Sequence, residues 1–366
     1  MRFPSQPGLI AGLSLQVTSL ARAMPFWRAI LHPLGFGRTW RDTDHCLWAR
    51  EGAQILMWER QPPTSGTRLM LRAPDRASVD RLCAAGVAAG GRVVMEPAAR
   101  PFATGYYSGI LADPDDIRVE LVHALDDLPE QDGAERVTVP GADGVVLGGY
   151  LFRPGGDEAP RAGVIVLHGY ASDATVLVSG GGDLARAGLV ALCLSQRGWL
   201  GSTGDEDQGF RQPDDVLDAA DWLRREVGLH SVGLLGFSQG GQTALLAAAR
   251  PAASFGAVVS YFAPADLAAW REQSGPGIGD YLDDFVPPER LAACSPVTVA
   301  PALACPVLLL HGSEDGVVPI AQSRALVTAN PAIALHVVEG ADHFGPSEAW
   351  VEAWPVARDF LVRTLS

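Results

Sequence analysis

From residue 163 onward, short apolar runs alternate with helical stretches: GVIVLHG, an Ala-rich helix to about residue 187, LVALCLSQ, PDDVLDAADWLRREV, SVGLLGFS, QTALLAAAR, AVVSYFAP, PVLLLHG, SRALVTAN, IALHVVEG and WVEAWPVARDFLVRTL. A strand that is apolar throughout has no side for water, so it must lie in a sheet covered on both faces. Helices between successive strands make that sheet mostly parallel and doubly wound. Ahead of it, RVTVPGADGVVLGGYLFR, residues 136–153, predicts a hairpin turning near Asp143 and Gly144. In such sheets ligand chemistry collects at the carboxyl ends of the strands.

One strand-to-helix junction in this series carries a reactive residue type. In LLGFSQGGQT, residues 234–243, the apolar strand meets helix-forming residues at Ser238. Gly236 and Gly240 lack a Cβ, so the strand can bend sharply and the helix can lie close, which lifts the serine side chain to the sheet edge. A small residue in a tight turn is the plainer reading; the strand-to-helix setting favours a nucleophile.

A serine hydroxyl is a weak nucleophile at neutral pH and needs a base within reach, held in one tautomer by a carboxylate. On this type of sheet the acid and then the histidine follow the serine along the chain. PVLLLHGSEDGVVP presents Asp315 in a turn after a buried strand, with Glu314 as the alternative acid, and VVEGADHFGP presents His343 in a polar loop. His336 lies inside a strand and is expected to face a packed surface.

Two backbone N–H groups must also hold the charge that develops on the attacked carbonyl oxygen. The expected donors are the amide of Gln239, at the start of the nucleophile helix, and that of Tyr170, in the loop after GVIVLHG. His168 in that loop is expected to shape the turn. SQRGWLGSTGDEDQGF, residues 195–210, should overhang the site, with Arg197 either pinning the loop to acidic neighbours, the preferred role, or meeting a substrate carboxylate. Residues 261–291 interrupt the strand and helix rhythm with aromatics and prolines, which suits a small lid.

The acidic stretch DDLPEQDGAE, residues 126–135, has little to bury and marks a boundary between domains 1–127 and 128–366. Before it, LSLQVTSL with ARAMPFWRAILHPLGF matches TRLMLRAP with DRASVDRLCAAGVAAGG, each a strand, a turn, an amphipathic helix and a glycine stop. Together with HCLWAR, QILMWE, RVVMEP, YYSGILADP and IRVELVH, they predict a smaller α+β domain of two βαβββ units. GLIAGLSLQVTSLARA after Arg2 also has the outline of a signal peptide, but Ser14, Gln16, Thr18 and Ser19 break its apolar run, so a folded strand is preferred.

All 28 basic residues are arginine, set against 42 Asp and Glu for a net charge of −14, and the acidic excess lies after residue 127. Such a surface repels phosphate backbones and anionic membranes, and no run approaches the ~20 apolar residues of a membrane span. Neither nucleic acid nor membrane is an expected partner. The five cysteines are widely spaced with no C-x-x-C pair, which argues for a reducing, cytoplasmic compartment.

Through FWRAILHPLGF, APDRASVDRL and YYSGILADPDDIRVELVH, residues 9–125 resemble the vicinal oxygen chelate family of glyoxalase I, extradiol dioxygenases and bleomycin-resistance proteins. Its metal-dependent members take ligands from the first strand of each repeat and a carboxylate on the last, and the matching positions are Gln16, Arg68 and Glu120. A guanidinium stays protonated and offers no lone pair, so the resemblance implies the fold with its metal site lost. Arg68 and Glu120 then form an internal ion pair, preferred because a buried arginine seeks a carboxylate, or join Gln16 in a small polar pocket for an anionic ligand.

Through LHGYASD, SQRGWLGSTG, GFSQGG, LLLHGSEDGVVP and GADHF, residues 135–366 resemble the α/β-hydrolases, nearest the dienelactone hydrolase and acylaminoacyl-peptidase-like branches. Dienelactone hydrolases use a cysteine nucleophile, and no cysteine occupies an elbow here. The peptidase relatives carry a large propeller where this chain has its smaller domain.

The resemblance implies a serine hydrolase that cleaves an ester, thioester or lactone of a small molecule through an acyl-enzyme, with a Ser238, His343 and Asp315 triad and no cofactor. Two alternatives stay open: the first domain is the functional ligand-binding module and the hydrolase fold its scaffold, or the triad performs acyl transfer or rearrangement of a specialised metabolite. The first domain is expected to serve substrate selection or homodimer formation.

Overall fold

A computed structural model describes residues 12–41, 44–50, 53–100, 104–156, 160–251, 253–274, 276–344 and 348–365. The chain forms two compact units, Met1–Leu125 and Asp126–Ser366. Arg2 and residues 8–11 of the signal-like outline lie outside the described residues; its remainder forms a strand and the start of a helix.

The first unit repeats one motif. Strand β1 (Gly12–Val17), helix α1 (Leu20–Leu31) and strands β2 (Gly37–Arg41), β3 (His45–Arg50) and β4 (Ala53–Glu59) build a sheet of order β1-β4-β3-β2. Strand β5 (Arg68–Arg72), helix α2 (Arg76–Ala88) and strands β6 (Arg92–Ala99), β7 (Tyr107–Ala112) and β8 (Arg118–His123) repeat it as β5-β8-β7-β6. Each helix begins at a side-chain cap: Ser19 accepts from the Arg22 amide and Asp75 from that of Ser78. The inner faces share one core that joins both repeats, from Leu15, Trp27 and Met57 to Val79, Leu111 and Leu121. Among the described residues neither four-stranded sheet has a core of its own, which is why the repeat comes in a pair.

The second unit is a single eight-stranded sheet of order β9-β10-β12-β11-β13-β14-β15-β16. Its strands are β9 (Glu135–Pro140), β10 (Val146–Phe152), β11 (Ala162–Leu167), β12 (Val190–Leu194), β13 (Ser231–Phe237), β14 (Val258–Tyr261), β15 (Val307–Gly312) and β16 (Ala334–Val338). Pairing is antiparallel for β9 with β10 and β10 with β12, and parallel from there on. Residues of β11, β12 and β15 are buried throughout, as apolar runs require.

Helices α3 (Val178–Arg186) and α10 (Glu348–Leu365) cover one face through Leu184, Ala357 and Leu361. Helices α4 (Gln212–Trp222), α5 (Gln239–Ala248) and α9 (Ala321–Ala329) cover the other through Val216, Leu245 and Leu326. Between β14 and β15 lie helices α6 (Leu267–Gln273), α7 (Pro276–Phe285) and α8 (Pro296–Val299), and α6 and α7 share a small separate core with Cys294 and Val318. After β11 the chain moves outward to β12 and then returns to the opposite side of β11 as β13. That reversal opens a crevice at the carboxyl ends of β11 and β13, where ligands bind in open α/β sheets.

Candidate active site

Ser238 sits at that reversal, between β13 and α5, with φ +51° and ψ −117°. A left-handed φ on a residue with a Cβ is strained, and such strain persists only where the surroundings over-determine it. They do so here. A Cβ on Gly236 would collide with the carbonyl of Gly240, and one on Gly240 would come within 2.5 Å of the Leu167 and His168 carbonyl oxygens. Both neighbours are backbone and cannot step aside, so only glycine permits this crossing of strand, helix and loop. A Cβ built on Gly169 would be 3.4 Å from that of Ser238, which puts the loop after β11 directly beside the serine.

The structure brings Ser238, His343 and Asp315 together. The Ser238 hydroxyl lies 3.1 Å from His343 Nε2, and His343 Nδ1–H donates to Asp315 Oδ2 at 2.7 Å. The other carboxylate oxygen accepts from the amides of Val317 at 2.9 Å and Val318 at 2.8 Å. Burial alone would raise the Asp315 pKa, but the neighbouring His311 imidazole and the hydrogen bonds from His343 and the Val318 amide outweigh it and hold the carboxyl well below its usual range. Glu314, the alternative acid, is exposed, while Asp315 is buried. A hydroxyl in line with an imidazole backed by an anion can pass its proton inward as it attacks.

Gln239 begins α5, so its amide has no acceptor one turn back within the helix. Tyr170 follows Gly169, and its ring packs on Trp199 at 5.3 Å, Tyr281 at 4.7 Å and Phe285 at 5.7 Å. The rings of Phe262 and Phe344 flank His343. His168 is buried, donates from Nδ1 to the Gly169 carbonyl and accepts at Nε2 from the Gln196 amide. Burial lowers its pKa to about 4, so it is a neutral turn-shaping residue. Arg197 is buried and bonded to Asp215 and Asp143, in the pinning role.

Several neighbours carry no signal in the sequence. His311 is one: its Nδ1 accepts from Ser323 Oγ, and its Nε2 donates to the Val318 carbonyl at 2.7 Å. Glu206, Gln208 and Tyr281 form a polar cluster with the Gln239 side chain. A carboxylate and two glutamines in a loop have no periodicity to betray them; only the placement of SQRGWLGSTGDEDQGF after a strand pointed this way.

In the first unit Arg68 Nε lies 3.4 Å from Glu120 Oε2, and Tyr106 donates to the other carboxylate oxygen at 3.1 Å. Glu120 is buried, but Arg68 is 52% exposed, which corrects the expectation of a buried arginine: in β5 it lies on the open side of the strand. Gln16 lies in the other sheet, where its amide donates to Thr64 Oγ1. Among the described residues no hydrogen bond or ion pair joins it to Arg68 or Glu120, and no group of three His, Cys, Asp or Glu side chains is placed to hold a metal ion.

Residues 197–365 match the prolyl oligopeptidase family, and residues 9–121 match the glyoxalase, bleomycin resistance protein and dioxygenase superfamily. An uncharacterized protein of Mycobacterium tuberculosis is 29% identical over 216 residues, which cover 57% of this chain and 72% of the relative. A Pyrococcus furiosus esterase superposes with a TM-score of 0.52 at 19% identity, over 66% of this chain and 98% of its own. For a puromycin-hydrolyzing peptidase of Mycobacterium tuberculosis the TM-score is 0.56 at 24% identity, over 71% of this chain and 44% of the peptidase. At these identities both structures speak for the fold. The chain therefore joins a domain similar to the glyoxalase and bleomycin-resistance superfamily to an α/β-hydrolase fold in which residues 197–365 match the prolyl oligopeptidase family.

Proposed function

We propose that the second unit cleaves a carboxylic ester, thioester or lactone of a small molecule through an acyl-enzyme on Ser238. The observation that carries this reading is the hydrogen-bonded line from Ser238 through His343 to Asp315, anchored by two backbone amides. His343 takes the hydroxyl proton as Oγ attacks the carbonyl carbon. The amides of Gln239 and Tyr170 hold the oxyanion, and each such donor contributes on the order of 3 kcal/mol to lowering the barrier. Collapse of the intermediate releases the leaving group, which takes the proton from His343. Water, deprotonated by the same imidazole, then attacks the acyl-enzyme and frees the acid and the serine.

An ester is favoured over a peptide because nearly the whole of the esterase chain is covered, against less than half of the peptidase. A panel of p-nitrophenyl esters, thioesters, lactones and aminoacyl anilides, assayed on wild type and Ser238→Ala, tests this. Ester turnover that vanishes in Ser238→Ala is expected; turnover confined to anilides would move the assignment to a peptidase.

A further inference from the structure

Gln239 occupies two roles by position: its backbone N–H is an oxyanion donor in the reading above, and its side chain is buried against the loop before α4. Gln239 is 1% exposed, and its Nε2 donates to Glu206 Oε1 and, at 2.9 Å, to Gln208 Oε1. Glu206 is held by three further N–H groups: Trp199 Nε1 at 2.9 Å, Gln212 Nε2 at 2.7 Å and the Gln208 amide at 2.7 Å. Four donors fill the four lone-pair directions of a carboxylate, so no substrate cation fits there. The same Trp199 ring supports Tyr170, whose amide is the second oxyanion donor. From the lid side, Tyr281 of α7 donates to the Gln208 oxygen that Gln239 also uses.

We propose that Glu206 is the positioning residue of the oxyanion site, holding Gln239 through its side chain and Tyr170 through the Trp199 indole. The inference rests on the serine-hydrolase reading and adds to it a residue that touches neither substrate nor triad. Its effect belongs to the transition state, because the two amides meet full negative charge only there. A Glu206→Gln side chain keeps the volume and can still accept from Trp199 and Gln212. Its NH2 then faces the Gln239 and Gln208 donors, so the bond from Gln239 Nε2 to this residue is lost.

The test is the rate of phosphonylation by a fluorophosphonate probe, separated into the binding constant KI and the maximal rate kinact. For Glu206→Gln, kinact should fall about 10- to 100-fold with KI within about twofold, since one oxyanion donor is worth up to that order. Labelling should still reach completion, which a merely misfolded fraction would not allow. Trp199→Phe keeps a ring beneath Tyr170 but removes one donor to Glu206, and should lower kinact about three- to tenfold at unchanged KI. It decides the matter alone if Glu206→Gln does not fold. Unchanged kinact in the folded variants, or a loss carried by KI, overturns the positioning role while leaving the hydrolase in place. A wild type that does not label at Ser238 overturns the hydrolase reading, and this inference with it.

Discussion

His311 Nε2 stands 3.5 Å from the same Asp315 oxygen that accepts from His343 at 2.7 Å. Two imidazoles thus face one buried carboxylate, and two backbone amides close its other side. Asp315→Asn keeps the shape but loses the acceptor that orients His343. Hydrolysis of a p-nitrophenyl ester should fall on the order of 10⁴-fold. Because the folded carboxyl is held well below its ordinary pKa of about 3.9, its contribution to stability is fully present above that value and is lost as pH falls toward the folded one. In urea melts between pH 7 and pH 3 the gap between wild type and Asp315→Asn should hold down to about pH 4 and begin to narrow below it; a gap that widens there would contradict the assignment.

Ser238 holds a left-handed φ of +51° for the sake of its position. Glycine adopts that backbone without strain, so Ser238→Gly should gain about 1 kcal/mol of stability and raise Tm by about 2–4 °C while removing acylation. Calorimetry beside an esterase assay reads both. A lower Tm would mean that the serine side chain does more for the fold than its strain takes away.

Arg197 and Asp215 are both buried, and the arginine also reaches Asp143 at 3.0 Å. Arg197→Ala leaves Asp215 without its partner and should cost about 3–5 kcal/mol. Arg197→Met with Asp215→Leu removes both charges and should recover most of that loss. Denaturant unfolding distinguishes the two; equal losses would assign the effect to packing of the arginine stem.

His168 is neutral in the fold at neutral pH, its pKa lowered to about 4 by burial. The unfolded chain, with a value near 6.5, takes up a proton first as pH falls, so stability should drop between about pH 6.5 and pH 4, by up to roughly 3 kcal/mol. His168→Gln should flatten that slope in chemical melts at pH 7, 6 and 5. An equally steep slope in the variant would place the acid sensitivity elsewhere.

The parallel sheet, the hairpin around Asp143 and the paired βαβββ units are legible in the sequence because each rests on short-range periodicity. Strand β2 is not, since GRTWR offers no apolar alternation. At the site, the glycine spacing around Ser238 and the chain order of Asp315 and His343 are local signals. The choice of Asp315 over Glu314 rests instead on which side chain turns inward, and the Val317 and Val318 amides set that only in the folded loop. Tyr281 and Gln208 meet across 73 positions, and nothing in either neighbourhood foreshadows the other. The pairing of Arg68 with Glu120 is expected from burial of the arginine, yet a long side chain can reach a buried carboxylate while about half of it stays in water.

The most direct measurement is intact mass after treatment with excess fluorophosphonate, followed by peptide mapping. One adduct per chain, on the peptide that contains Ser238, and none on Ser238→Ala is the expected result. A folded wild type that stays unlabelled, or a Ser238→Ala variant that labels equally well, contradicts a serine hydrolase built on Ser238.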